Sequence, residues 1–279
     1  MGRFSSIEWT HHTFNPWWGC QKVSPACENC YAESWAKRVG HDLWGKSASR
    51  RFFGDAHWSE PLKWNRDAEA IGERQRVFCA SMADVFEARK ELSEYRERLW
   101  TLIEATPMLD WLLLTKRPQN ITKMVPWKSK LEWPANVWVG TTVENQKEAN
   151  RRLSHLLKIP AAIRFLSCEP LLGKLDLSSF STDASLLSID WIIAGGESGA
   201  KARPMNPVWL RTLRDFAKKK KIAFHFKQWG HWAPLETEGG KQGKMISLDG
   251  HLMAAVGKIQ AGRVLDGTTW DGVPSAMAA

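Results

Sequence analysis

The feature of this sequence that most constrains its fold is a regular alternation of short apolar segments with longer amphipathic ones. The first strand candidate, Ser6–Thr10, alternates in polarity, and the later ones are almost continuously apolar. These later candidates are Val77–Ser81, Leu109–Thr115, Val137–Thr142, Ala162–Ser167, Ile189–Ala194 and Ala223–Lys227. Helical patterns follow at Glu87–Thr106, Glu144–Leu157 and Pro207–Lys221. Alternation of this kind predicts βαβ units and a parallel sheet.

The sequence therefore predicts an α/β fold, a partial (β/α) TIM-like barrel of about six parallel strands, in preference to an open doubly wound sheet. Residues 1–229 would form this barrel together with an N-terminal cysteine loop. Residues 230–279 lose the alternation, and we expect a small irregular C-terminal cap within the same globular unit. The stretch His41–Asn65 mixes Gly, Ser and Pro with aromatic residues and arginines. It is predicted as an irregular loop, either functional or packed by its own aromatic residues.

Polar residues follow the strand candidates at their carboxyl ends. In a parallel barrel these ends meet at one rim, where active sites lie. The rim residues are Ser81, Asp84, Thr115, Lys116, Arg117, Glu144, Glu169, Gly195, Gly196, Glu197 and Gln228. Any one of them can be a helix cap or part of a tight turn. The two adjacent glycines of the GGESG motif, Gly195 and Gly196, permit either a tight strand–helix turn or a close approach to a ligand.

Three cysteines near the N-terminus form the densest chemical motif of the chain. Six residues separate Cys20 from Cys27, and two separate Cys27 from Cys30. Ser24 followed by Pro25 predicts a helix start, so Cys27 and Cys30 would lie on one face of the first helical turn. Three thiolates can hold three corners of a 4Fe–4S cluster and leave one iron open.

Other interpretations of the cysteines remain open at this point. Zinc needs four ligands, and His11, His12 or a distant cysteine can complete such a site. A disulfide would leave one cysteine of the three unpaired. The remaining cysteines, Cys79 and Cys168, lie in or beside strand candidates and are predicted to be small buried apolar residues.

Composition narrows the setting in which the chain works. The formal net charge is +9, which permits binding to nucleic acid or another polyanion, and the 17 tryptophans include candidates for base stacking. The sequence contains no run of eighteen apolar residues and no apolar signal region at its N-terminus. Because few of the five cysteines fall outside the cluster, the sequence favours a metal site in a reducing cytoplasm.

Eight segments of the chain resemble a family of phage- and bacteria-associated three-cysteine-motif proteins of uncharacterised function. The segments are IEWTHHTFNPWWGCQKVSPACENCYAE, VFCASMADVF, LLLTKRP, VWVGTTVENQ, FLSCEPLLG, WIIAGGESG, HFKQWG and AGRVLDGTTWDGVP. That family in turn distantly resembles radical S-adenosylmethionine enzymes. In those enzymes a three-cysteine loop follows the first strand of a partial barrel, and the open iron chelates the amino and carboxylate groups of the methionyl moiety.

The resemblance implies roles for particular residues. Cys20, Cys27 and Cys30 would ligate the cluster, although the usual spacing in the superfamily is three residues and then two. Its GGE motif, which helps to bind the methionyl amine, normally follows the second strand, whereas Gly195–Glu197 follow a late one. The implied cofactor contacts are Ser81, Asp84, Thr115, Gly195, Gly196, Glu197 and Gln228, with Glu197 alternatively contacting substrate. The implied catalytic residues are Lys116, Arg117 and Glu169.

The resemblance implies a radical S-adenosylmethionine-type enzyme that uses a 4Fe–4S cluster and S-adenosylmethionine and needs an electron donor. Nucleic acid or a nucleotide, modified or repaired, is the expected substrate. The alternatives are a zinc-stabilised nucleic-acid-binding protein, and an Fe–S protein that binds nucleic acid without radical chemistry.

Overall fold

A seven-stranded parallel sheet is the centre of the fold. The computed structural model describes residues 2–181, 188–235 and 244–275. The strands, in the order in which they lie side by side, are β1 (His12–Thr13), β4 (Gln75–Cys79), β5 (Leu109–Thr115), β6 (Val137–Thr142), β7 (Ile163–Cys168), β8 (Trp191–Gly195) and β9 (Ala223–Gln228). The predicted partial barrel is confirmed, with seven strands rather than six.

Helices follow most of the strands along the chain. They are α1 (Tyr31–Arg38), α2 (Asp55–Ile71), α3 (Ser93–Glu104), α4 (Ile121–Met124), α5 (Gln146–Leu156), α6 (Pro207–Lys220) and α7 (Lys258–Ala261). Asparagine side chains cap the two most clearly predicted helices, because Asn145 accepts from Glu148 N and Asn206 accepts from Val208 N. Short 3₁₀ helices lie at 25–27, 90–92, 118–120 and 179–181.

The two faces of the sheet bury different cores. Alternate strand residues such as Leu113 and Val139 pack with apolar residues of the helices, in the main core of the protein. The opposite face has a smaller, aromatic-rich core that includes Trp9, Phe78 and Trp191. Because the buried faces of the longer helices contribute to the main core alone, the sheet is a half-barrel with helices on its outer face and the smaller core on its inner face.

Two predicted elements near the N-terminus are wrong. The first strand is His12–Thr13 rather than Ser6–Thr10, since Thr10 N donates to Ile7 O and closes a turn that places Trp9 in the inner core. The stretch His41–Asn65 is not irregular throughout, since it contains a two-residue strand at Arg51–Phe52 and α2 begins at Asp55. Trp58, Pro61, Trp64 and Ala68 form a buried stripe on that helix, and burial of this stripe stabilises it.

The C-terminal part adds a small sheet and covers an edge. Strands β10 (Trp232–Pro234), β12 (His251–Ala255) and β11 (Met245–Leu248) pair antiparallel in that order. Beyond them, Trp270 O accepts from Phe226 N and Gly272 N donates to Phe224 O, so the tail runs along the outer edge of β9. Part of the predicted cap, residues 236–243 and 276–279, lies outside the described residues, and the predicted division at residue 229 stays a prediction.

A short antiparallel pair ties the cysteine segment to the loop that precedes α2. It joins β2 (Trp17–Trp18) to β3 (Arg51–Phe52). Across the described ranges, the helices are all too short or too polar to cross a membrane.

Candidate functional site

One cavity of about 380 Å³ brings together almost all of the predicted site residues. It lies at the carboxyl ends of the strands, inside the half-barrel. Its lining includes Cys20, Cys27, Cys30, Ser81, Asp84, Thr115, Lys116, Arg117, Glu169, Gly196, Glu197 and Gln228. Of the predicted rim residues, Glu144 and Gly195 do not line it. The rim predicted from polar strand ends is therefore a real concave site rather than a set of separate helix caps.

The cysteine segment has a different local structure from the predicted one. Residues Pro25–Cys27 form a 3₁₀ helix, and α1 begins at Tyr31, with Cys30 in an extended conformation as its N-cap. Cys27 and Cys30 are therefore not one turn apart on a single α-helix. All three cysteines are free thiols, and burial raises the pKa of Cys20 to about 12 and also raises the pKa of Cys30. Cys79 and Cys168 are buried in the main core, as predicted.

Three carboxylate–arginine pairs, which we call the clamps, hold the cysteine segment against the strand ends. The first clamp is Asp84–Arg117, joined at 2.7 Å. Arg117 Nη2 also donates to Gln21 O at 2.7 Å, and Arg117 Nη1 lies 3.8 Å from Cys20 Sγ. Burial opposes ionisation of Asp84, but Arg117 and donors that include Thr115 Oγ1 outweigh it and hold the pKa of Asp84 below its usual range.

The second clamp, Glu144–Arg152, is completely buried. Arg152 Nη1 donates to Glu144 Oε2 at 2.8 Å, and Arg152 Nη2 lies 2.8 Å from Glu148 Oε2. The other Glu144 oxygen accepts from Ala26 N at 3.1 Å, in the middle of the cysteine segment. Burial would raise the pKa of Glu144, but the guanidinium and the hydrogen bonds lower it.

The third clamp, Glu197–Arg203, holds the cysteine segment on both sides of Cys27. Arg203 Nη2 donates to Glu197 Oε1 at 2.7 Å and to Pro25 O at 2.9 Å. Asn29 Nδ2 donates to Glu197 Oε2 at 3.0 Å. Burial opposes ionisation here too, yet the bonds from Arg203 and Asn29 lower the pKa of Glu197. Both carboxylate oxygens of Glu197 thus already accept hydrogen bonds from the protein. A direct contact of Glu197 with a cofactor stays a prediction.

The adjacent glycines of the GGESG motif, Gly195 and Gly196, are explained by close packing. A Cβ on Gly196 would overlap the carbonyl group of Trp229, and Gly196 N donates to Gln228 O at 2.9 Å. A Cβ on Gly195 would lie 3.4 Å from the Glu169 side chain. The close approach that glycine permits is therefore one between neighbouring strands.

The wall formed by β7 to β9 has a different character. Lys227 Nζ lies 2.9 Å from Glu169 Oε1 and 3.0 Å from Glu169 Oε2. Gln228 Nε2 donates to Glu169 Oε1 at 3.2 Å and to Ser198 Oγ at 3.0 Å. None of these bonds reaches the cysteine segment, so we call Glu169, Lys227 and Gln228 the open wall.

Several residues of the site were missed at the level of sequence. Arg152, Arg203 and Lys227 complete ion pairs, and Tyr31 donates its hydroxyl to Ser81 O at 2.8 Å. Arg203 could have been found from the sequence, because it follows the predicted site residue Glu197 by six residues in the same loop. Arg152 carried none, because an arginine on an amphipathic helix is ordinarily exposed.

The cavity contains the three thiols of the predicted cluster site but not the histidines of the alternative zinc site. Among the described residues, no group of three or more His, Cys, Asp or Glu side chains is arranged to hold a single metal ion. His11 Nδ1 accepts from Arg76 N, while His12 pairs with Gln75 and stacks on Trp64. Neither histidine lines the cavity. Three free thiols on one cavity wall suit a cubane, whose ligands bind separate irons and need not converge on one point.

Comparisons with known proteins agree on the fold. The chain is similar to spore photoproduct lyase complexed with dinucleoside spore photoproduct, with a TM-score of 0.51 and 11% identity over 92% of this chain and 71% of that one. Two single-substitution mutants of spore photoproduct lyase match at a TM-score of 0.50, at 11% and 12% identity. No curated protein matches the sequence significantly.

The half-barrel thus resembles the fold of radical S-adenosylmethionine enzymes, as the sequence predicted. Membership of an uncharacterised family is also confirmed, whereas the phage association and the cluster-binding role of the cysteines stay predictions. A family model described as protein of unknown function (DUF5131) matches residues 4–274, and the chain belongs to that family.

Proposed function

We propose that this protein is a radical S-adenosylmethionine-type iron–sulfur enzyme that acts on a nucleotide or nucleic acid. The observation that carries the proposal is the convergence of Cys20, Cys27 and Cys30 on one cavity at the carboxyl ends of a half-barrel. The similar fold of spore photoproduct lyase, solved with a dinucleoside, supports both the class of enzyme and the class of substrate.

The residues of the cavity divide the work between them. The three cysteines would hold three irons of a 4Fe–4S cluster, and the clamps would fix the segment that carries them. When bound, the cluster and S-adenosylmethionine would supply the radical chemistry for hydrogen abstraction from a substrate. Asp84 and Thr115 act within the first clamp, so they would position the cofactor site, as Ser81 would through its bond from Tyr31 Oη.

Lys116, Arg117 and Glu169 remain the proposed catalytic residues. The Lys116 ammonium lies near enough to Cys30 to lower the pKa of that thiol, partly offsetting the effect of burial. A positive charge at this position favours a thiolate, which is the form that binds metal. Arg117 has the same relation to Cys20, since it donates toward Sγ and lowers the pKa of that thiol.

Anaerobic purification and reconstitution test the proposal. We expect a brown protein with about four irons and about four sulfides per chain. Cys27→Ala should abolish the colour, while Cys168→Ala, which removes a buried thiol outside the cavity, should keep it. A colourless protein with stoichiometric zinc would contradict the cluster.

Turnover tests the radical chemistry separately. Dithionite and S-adenosylmethionine added to the reconstituted protein should yield 5′-deoxyadenosine, detected by mass spectrometry. A fully loaded protein that never forms this product would instead be an Fe–S nucleic-acid-binding protein without radical chemistry. If the proposal is right, a flavodoxin-like or ferredoxin-like electron donor should support formation of 5′-deoxyadenosine in place of dithionite.

A further inference from the structure

We infer that the open wall binds the lactam edge of a nucleobase, the N–H beside a C=O that thymine, uracil and guanine present. This inference rests on the proposed function, which makes the cavity the active site. Glu169 would accept from the ring N–H, Lys227 would donate to the carbonyl oxygen, and Gln228 would accept from a further donor.

The Glu169–Lys227 pair has hydrogen-bonding capacity left over. Both side chains are mostly buried but line the cavity. An ionised carboxylate offers about four lone-pair sites and an ammonium has three hydrogens. Lys227 Nζ bonds to the Glu169 carboxylate, which accepts from Lys227 and from Gln228. The pair therefore presents an acceptor beside a donor without having to separate.

The orientation of the Gln228 amide is fixed by its neighbours. Its Nε2 donates to the Glu169 carboxylate and to Ser198 Oγ, which uses both amide hydrogens. A flipped amide would place a carbonyl oxygen against a carboxylate. The residue is 5% exposed, and its Oε1 accepts no hydrogen bond from the described residues. A buried acceptor without a donor costs free energy, and a donor on a bound ligand would satisfy it.

The remaining walls fit the other parts of a nucleotide. Phe78, Leu114 and Trp9 give the cavity an apolar, partly aromatic floor against which a planar base can pack. At the cavity lining, the Tyr31 residue is 58% exposed, while its hydroxyl is anchored on Ser81 O. A ring fixed in this way offers a stacking surface with little conformational entropy to lose.

Two lysines supply charge for a phosphate. Lys116 and Lys258 line the cavity, and neither has a carboxylate partner within the described parts of the chain. Of the four acids on the lining, Asp84, Glu169 and Glu197 each contact a basic side chain, and the fourth, Glu8, is exposed. The cavity can therefore accommodate the negative charge of a phosphate. The net charge of +9 likewise favours binding of a polyanion by the whole chain.

The order of donors and acceptors favours a lactam edge over the edges of adenine and cytosine. A ring N–H beside a C=O gives a carboxylate its donor and an ammonium its acceptor on adjacent atoms. Adenine and cytosine have an unprotonated ring nitrogen at the corresponding position, which would face the carboxylate. Buried polar groups left unpaired by the wrong base are a strong source of discrimination.

Equilibrium binding of nucleoside 5′-monophosphates to the full-length protein tests this inference. We expect TMP, UMP or GMP to bind about tenfold more tightly than AMP and CMP, the factor that one good bidentate contact provides. N3-methyl-TMP, which lacks the ring N–H, should bind about tenfold more weakly than TMP. Equal binding of all five nucleotides, or of TMP and its N3-methyl form, would overturn the inference, and so would the absence of any binding.

A matched pair of variants separates the open wall from general charge effects. Glu169→Gln should reduce the preference for TMP over AMP by about tenfold. Glu60→Gln removes a carboxylate that pairs with a lysine on an exposed helical surface, and it should leave the preference unchanged. Equal preferences in wild type and a folded Glu169→Gln protein would count against the assignment, and the N3-methyl probe decides the matter if that variant does not fold.

The same binding measurement on Cys27→Ala distinguishes this inference from the proposed function. Cys27→Ala, which should lack the cluster, should keep its discrimination among nucleotides. Discrimination by a wild-type protein that never takes up iron on reconstitution would leave the open wall assigned and the radical enzyme refuted. A loaded protein that forms 5′-deoxyadenosine but binds all nucleotides alike would refute the role of the open wall and leave the radical enzyme intact.

Discussion

The two sides of the cavity are built on opposite principles. On the cysteine side, three buried carboxylates meet three arginines, and each pair also contacts the segment from Gln21 to Asn29. On the side of the open wall, Glu169 pairs with Lys227 and Gln228, and the bonds among them stay within the wall. The first arrangement resembles a structural core, whereas the second resembles a binding surface.

The difference separates residues that position from residues that bind. A polar group whose partners are all provided by the protein stabilises one conformation and offers little to a ligand. A polar group with unused hydrogen-bonding capacity stabilises the conformation less and can bind a ligand. Asp84, Glu144 and Glu197 belong to the first class and Glu169 to the second, although all four follow strand ends. Substitutions on the two sides should therefore change different quantities.

Removing the buried guanidinium of the second clamp should have the largest effect on stability. Arg152→Met would leave Glu144 and Glu148 without their buried partner, and breaking a buried pair costs about 3–5 kcal/mol. Urea unfolding measures this loss. The neighbouring Arg151 is 54% exposed and lies 3.7 Å from the same Glu148, so Arg151→Met should cost less than about 1 kcal/mol. Similar losses in both variants would remove the distinction between clamp and surface.

The third clamp allows a comparison on a single arginine. Arg203 contacts both Glu197, which is buried, and Glu28, which is 64% exposed. Glu197→Gln should cost about 1–3 kcal/mol, because Arg203 and Asn29 lose a charged partner, and should lower iron uptake on reconstitution. Glu28→Gln should leave both quantities nearly unchanged. An effect of Glu28→Gln as large as that of Glu197→Gln would show that charge near Arg203, rather than the clamp, is what matters.

Acid should release the cysteine segment before it unfolds the sheet. The pKa values of Asp84, Glu144 and Glu197 are all lowered in the folded protein. Groups of this kind stabilise the fold above their unfolded pKa values, roughly 4, and lose that contribution as pH falls through the folded values. Hydrogen exchange of the segment, corrected for the intrinsic exchange rate, should therefore be independent of pH near neutrality and increase below about pH 4 relative to β5 and β6. Loss of protection in step with the strands would contradict a local role.

The open wall should give the smallest effect on stability. Glu169→Gln keeps the shape of the side chain and an oxygen that can accept from Lys227, so we expect a loss of about 1 kcal/mol, well below that of Arg152→Met. Its expected effect is on nucleotide preference instead. A loss as large as that of Arg152→Met, measured by the same urea unfolding, would place Glu169 with the clamps.

The strands were predictable because burial on both faces leaves an apolar run with almost no alternative. Leu109–Thr115 and Val137–Thr142 begin and end at the predicted residues. Helix α2 was missed because Trp58 and Trp64, which anchor its buried face, lie among charged and polar residues that resemble a loop. The strand prediction at Ser6–Thr10 was wrong because the alternation in polarity there does not come from a strand. It arises because Trp9, in a turn, packs into the inner core.

The membership of the site was also predictable, but the geometry of the cysteine segment was not. Polar residues after parallel strands must share a rim, so position along the chain suffices to gather them. The helix over Cys27 and Cys30 is interrupted where Asn29 bonds to Glu197, a residue 168 positions away. Local capping signals, such as Ser24 and Pro25, contain no information about a contact of that range.

The six residues between Cys20 and Cys27 provide backbone groups that the three clamps bind. Gln21 O, Pro25 O and Ala26 N lie within the six intervening residues, and each meets a different clamp. A three-residue gap would have fewer backbone groups to offer. Relatives with this architecture would escape a search for cysteines spaced three and then two. A search template that combines the six-and-two spacing with acids after the second, fourth and sixth strands of the sheet would recover them.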